Sequence, residues 1–116
     1  MKAVVTGASG AVGRRVCARL NADGATVIAV ERPDERLDLA DMFRGADVVV
    51  HLSHTFPPDA TSLEAGAADL DLAQRVLDAA ADAGVAHAVI VSSAMVYGAW
   101  DNNPVPLTED APGRPN

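Results

Sequence analysis

The chain has 116 residues, 49% of them hydrophobic and 22% charged, with a formal net charge of −7 at neutral pH. That length holds one domain, and the apolar share belongs to a folded protein rather than a disordered one. The acidic balance, with Lys2 as the only lysine, excludes the clustered basic surface that nucleic-acid binding requires, and no apolar stretch approaches the ~20 residues of a membrane helix.

In chain order, Ala3 to Thr6 is an apolar run that predicts a buried strand. A glycine-rich turn follows, then a helix from Gly10 to Ala22 in which Val12, Val16 and Leu20 repeat on one stripe. Gly24 is placed to end it. Thr26 to Val30 predicts a second strand, apolar on both faces as parallel strands are. Asp38 and Leu39 are expected to close a short third strand before a brief helix over Ala40 to Arg44. Asp47 to Leu52 reads as a strand, and Ser53 to Asp59, with Pro57 and Pro58, as a loop. Thr61 and Glu64 have the spacing of a capping box that opens a long helix. That helix carries two apolar stripes, one through Leu63, Gly66, Leu70, Ala73, Leu77 and Ala80, the other through Leu72, Val76, Ala79 and Ala83, which predicts burial on two sides. Gly84 stops it, and His87 to Val91 gives the next strand. From Ala99 onward Pro104, Pro106, Pro112 and Pro115 interrupt a segment without periodicity.

The strand–helix rhythm predicts the α/β class, a doubly wound parallel sheet with right-handed crossovers. Residues 1–98 form the expected folded unit, and residues 99–116 an irregular Pro-rich tail or active-site loop. The run Thr6-Gly7-Ala8-Ser9-Gly10-Ala11-Val12-Gly13 joins the first strand to the first helix, the context in which a glycine triplet signals a Rossmann dinucleotide site. Gly7 permits the tight turn, Gly10 lets the backbone approach a pyrophosphate, and Gly13 allows close helix packing on the sheet. The first helical N–H groups lack internal partners and sit at the positive end of the helix dipole, so Ser9, Gly10, Ala11, Val12 and Gly13 are candidate diphosphate contacts. At the end of the second strand, Glu31 can accept hydrogen bonds from the adenosine ribose and repel a 2′-phosphate, which favours NAD. Arg32 beside it is a good phosphate partner and keeps NADP open.

Cys17 is the only cysteine and lies in the first predicted helix, where it reads as a small hydrophobe rather than a nucleophile. His51, His54 and His87 have no metal-ligand spacing with other donors, so no metal site is expected. Met1 to Thr6 is too short for the apolar part of a signal peptide, which leaves a cytoplasmic protein as the expectation.

With these elements placed, the chain resembles the extended short-chain dehydrogenase/reductases, the family of NAD-dependent sugar epimerases and dehydratases. The resemblance runs over nearly all of the chain. It is carried by the glycine turn, by Asp47-Val48-Val49-Val50-His51-Leu52, and by Val91-Ser92-Ser93-Ala94-Met95-Val96-Tyr97-Gly98, with Pro106-Leu107-Thr108-Glu109-Asp110 similar to the loop that follows. By that resemblance Asp38 and Leu39 would flank the adenine, and Leu52, Ser53 and His54 would pass beneath the phosphates and nicotinamide ribose. Ser93 would be the active-site hydroxyl, with NAD as cofactor and a nucleotide sugar among the implied substrates. Asp69 stands where the family usually has asparagine beside the cofactor. The long helix commonly contributes to a homodimer interface in this family.

The family's base is a tyrosine four residues before a lysine. Tyr97, the only tyrosine here, matches the Val-Tyr-Gly turn instead, and Lys2 cannot be its partner. The expectation is therefore the front part of an epimerase, dehydratase or reductase acting by hydride transfer, inactive alone. Its alternatives are a non-catalytic dinucleotide-binding or sensing module and a truncated product with exposed apolar surface.

Overall fold

The structure, a computed structural model, describes residues 1–54 and 63–115, with the side chains of residues 63–65 left aside. Four short apolar segments form the strands β1 (Lys2–Thr6), β2 (Thr26–Val30), β3 (Val48–His51) and β4 (His87–Ile90). They make one sheet in the order β2-β1-β3-β4, and every pairing is parallel. Among the described residues three α-helices, α1 (Ala11–Ala22), α2 (Leu39–Phe43) and α3 (Leu63–Asp82), lie in the connections. A short 3-10 helix, Ala94–Tyr97, follows β4.

Alternation of side chains along β1 and β3 splits the core into two layers. Val4 and Val49 face Leu39, Phe43, Leu72 and Val76 from α2 and α3. Val5 and Leu52 face the other way, with Val16, Cys17 and Leu20 of α1 packed against them. Helices thus cover both faces of a parallel sheet, the doubly wound arrangement that the rhythm predicts. β1 leads to β2 on one side and lies against β3 on the other, so the strand order reverses at β1. Above the carboxyl ends of β1 and β3 that reversal opens a crevice, where open α/β sheets bind their ligands.

Two local expectations are revised. No strand ends at Asp38 and Leu39: Asp38 is the N-cap of α2, its Oδ1 accepting from the Asp41 N–H at 3.0 Å. An aspartate three residues before a free N–H satisfies a helix terminus better than it extends a strand. In α3 the stripe through Leu72, Val76 and Ala79 is buried, whereas the other is buried at Ala80 but 73% exposed at Leu70 and 41% exposed at Leu77. Gly13 is packed against the turn that leaves β1, where a Cβ would lie 2.1 Å from the Gly7 carbonyl oxygen. The loop expected over Ser53 to Asp59 and the capping box at Thr61 and Glu64 fall on or across residues outside the described set.

Residues 98–115 hold no helix or strand, yet they are hydrogen-bonded. The Arg114 N–H reaches the Val96 carbonyl at 2.8 Å, and Asn103 Nδ2 donates to the Gly98 carbonyl at 2.8 Å.

Candidate dinucleotide and substrate site

The turn after β1 is built by backbone constraints. Gly7 has φ +67°, and a Cβ there would lie 2.8 Å from the Ser53 nitrogen, so this position excludes every side chain. The Ala8 N–H donates to the Val30 carbonyl at 3.1 Å and the Gly10 N–H to the Gly7 carbonyl at 3.2 Å, tying the turn to the end of β2 and to itself. Gly10 differs from its neighbours. A Cβ at this position would meet only the Gly7 oxygen, at 3.4 Å, so the protein's own packing scarcely needs a glycine there.

Gly10 is also the N-cap of α1, and it supplies no side-chain hydrogen bond; nor does the first turn carry an acidic residue. The helix therefore presents its orphan N–H groups and dipole to the crevice without an anion of its own. Gly7, Ser9, Gly10, Ala11, Val12 and Gly13 line this crevice from one side, Glu31 and Arg32 from a second, and Leu52, Ser53 and His54 from a third. It encloses about 460 Å³. An uncapped helix start, open space at Gly10 and a carboxylate at the ribose end fit a dinucleotide.

Polar pairs hold the walls. The Ser9 hydroxyl donates to Glu31 Oε2. Arg32 donates to Asp69 Oδ1 at 3.0 Å, linking the end of β2 to α3. His54 Nδ1 donates to the Leu52 carbonyl at 2.9 Å, which assigns the proton of that tautomer to Nδ1 because a carbonyl only accepts. Below them His51, buried at the end of β3, shares a 2.7 Å hydrogen bond with the Thr6 hydroxyl. Burial, and then the charges of Arg32 and His54, hold its imidazole below the ordinary range, with Asp69 opposing.

The remaining expected residues border adjoining hollows. Ser92 and Ser93 share one of about 400 Å³ with His54, Asp69 and Val91. Ser93 caps the 3-10 helix, its Oγ accepting from the Met95 N–H at 3.2 Å. Asp38 and Leu39 stand apart from the glycine crevice, bordering a hollow with Arg75, Asp78 and Asp82. Between the two lies a third hollow bordered by both Arg32 and Arg75. Leu39 is mostly packed in the core.

Sequence reasoning missed Arg75, which donates to the Asp34 carbonyl at 3.1 Å and pins the segment after β2. Its signal was present: Asp69, Leu72 and Arg75 recur at i, i+3 and i+6, which places Arg75 beside the buried stripe of α3. The Ser9–Glu31 and Arg32–Asp69 pairs left no such signal. Among the described residues no group of His, Cys, Asp and Glu could hold a metal ion, and no helix is long and apolar enough to cross a membrane.

The family model described as "NAD dependent epimerase/dehydratase family" matches residues 3–116. No curated protein sequence matches the chain. Solved structures do. "MoeE5 in complex with UDP-glucose and NAD" is 28% identical with a TM-score of 0.86, covering 99% of this chain and 43% of its own. A short-chain dehydrogenase/reductase superfamily protein from Agrobacterium tumefaciens with bound NAD is 32% identical with a TM-score of 0.82, over 100% of this chain and 40% of its own. UDP-N-acetylglucosamine 4-epimerase from Bacillus cereus is 26% identical with a TM-score of 0.82, over 100% and 48%. The chain thus spans less than half the length of each.

Proposed function

Because this chain belongs to the NAD dependent epimerase/dehydratase family, we propose that its 116 residues are the NAD-binding part of an enzyme that works by hydride transfer on a nucleotide sugar. One observation carries this reading: the crevice at the switch point combines the uncapped start of α1 with Glu31 at its far wall. Two of the similar structures have NAD bound, and one of these also holds UDP-glucose. NAD, when bound, supplies the hydride acceptor at its nicotinamide ring. The chain's own residues bind and orient. N–H groups of Ala11, Val12 and Gly13 would take the diphosphate, Glu31 the adenosine ribose, and Leu52 to His54 the floor beneath the nicotinamide ribose. Asp38 and Leu39 would border the adenine, and Asp69 the cofactor side of α3.

Ser93 is the one candidate catalytic residue. With one lone pair held by the Met95 N–H, its own O–H remains able to donate to a substrate oxygen in the hollow beside His54. No tyrosine in these 116 residues stands four before a lysine, so the proton-transferring pair is not among them. That same observation favours a second reading, a dinucleotide-binding module that senses rather than reacts. Calorimetric titration of the purified chain with NAD tests both. Saturable binding at one site is expected, and its absence up to millimolar NAD would refute both.

A further inference from the structure

Both charged residues at the end of β2 are tied down by partners far along the chain. Glu31 accepts from the Ser9 hydroxyl, and Arg32 is held by Asp69 on α3 at 3.0 Å. The side chains of Arg32 and Asp69 are 41% and 25% exposed, so the pair is partly shielded from solvent. Arg32 borders the glycine crevice and the hollow next to it, the wall where an adenosine ribose would lie. An arginine at that wall is the usual partner of a ribose 2′-phosphate, because its planar fork matches phosphate oxygens. An arginine already paired with a carboxylate presents little net charge to a second anion.

We infer that Asp69 is a specificity-determining positioning residue: by holding Arg32 in an ion pair it withholds the cation that a 2′-phosphate would need, so the site selects NAD over NADP. The inference rests on the dinucleotide reading above. Two devices then act on the same discrimination and are separable. Glu31 repels the 2′-phosphate through its own charge, whereas Asp69 acts only through Arg32. A sequence with glutamate followed by arginine is ambiguous between the two cofactors, and the partner on α3 resolves it.

Affinities for NAD and NADP, measured by titration of the purified chain, test the inference in a Glu31→Ser background where direct repulsion is gone. Adding Asp69→Asn is expected to raise the NADP-to-NAD affinity ratio about tenfold, the scale of one additional charge-assisted hydrogen bond to the 2′-phosphate. Adding Arg32→Ala should erase that rise, and Asp69→Glu, which keeps the carboxylate, should leave the ratio near that of the Glu31→Ser parent. An unchanged ratio in Asp69→Asn, or an equal rise without Arg32, would overturn the inference while leaving NAD binding intact. Failure of the unsubstituted chain to bind NAD would overturn the dinucleotide reading and this inference together.

Discussion

His51 sits where packing and ionisation compete. It is buried against Thr6 at the carboxyl end of β3, and the Arg32 guanidinium adds to the cost of charging it while Asp69 partly offsets that cost. Its folded-state pKa is therefore below the ordinary 6.5. As pH falls through 6.5 the unfolded chain takes up a proton that the folded chain resists, so this contribution to stability is present above 6.5 and lost as pH falls through the folded value. Thermal unfolding at about pH 7.5 and about pH 5.5 should show a drop in Tm that is smaller in His51→Asn, which keeps a polar partner for Thr6 and does not titrate. An equal drop in both proteins would mean that His51 is not the titrating group. The sequence marks His51 only as a buried-looking strand residue. Its partner Thr6 lies 45 positions away, and only the β1–β3 register brings them together. Separations of 22 and 37 positions likewise hide the Ser9–Glu31 and Arg32–Asp69 pairs, whose residues are each legible as site candidates without their bonds.

Helix α3 shows how far periodicity reaches at the scale of an element. Both apolar stripes are legible, since the 3.6-residue repeat is a property of the sequence alone. Which stripe meets this domain's core is not, because that depends on where β3 and β4 present their faces. The stripe through Leu72 and Val76 is buried, whereas on the other Leu70 and Leu77 are exposed by 73% and 41% and the core takes in only its end, at Ala80. We propose the helix face carrying the exposed Leu70 and Leu77 as a homodimer surface, since large apolar side chains left in solvent on one face mark an interaction site. Leu72→Ala should lower unfolding stability by about 2–5 kcal/mol in urea titration, the cost of truncating a packed leucine. Leu70→Gln should change it by less than about 0.5 kcal/mol, as exposed substitutions do, while shifting sedimentation toward monomer. Equal stability losses, or sedimentation unaffected by Leu70→Gln, would contradict this division of the helix. Residues 98–115 are illegible for a different reason. Their order comes from irregular bonds such as Asn103 to the Gly98 carbonyl, which no repeat announces.

At the scale of the whole, the described residues form a four-stranded parallel sheet that reverses its order at β1 and opens a crevice there. This much is readable in the alternation of short apolar runs with helical stripes, because a parallel strand buried on both faces and an amphipathic helix have distinct patterns. β4 is readable as a strand but not as an edge. Val89 is 45% exposed because no further strand is paired outside it among the described residues. The comparison structures match the chain over 40 to 48% of their own lengths, and the glycine crevice of this chain lies within that matched share. The proposed roles of Ser93 and Asp69 both depend on NAD binding in this crevice. Amide chemical shifts followed by NMR while NAD is added test it most directly. The expected result is saturable change concentrated at Ser9 to Gly13, Glu31, Arg32 and Leu52 to His54, with Asp78 to Asp82 at the far end of α3 unmoved. Shifts that never saturate, or that centre on a surface away from the start of α1, would contradict it.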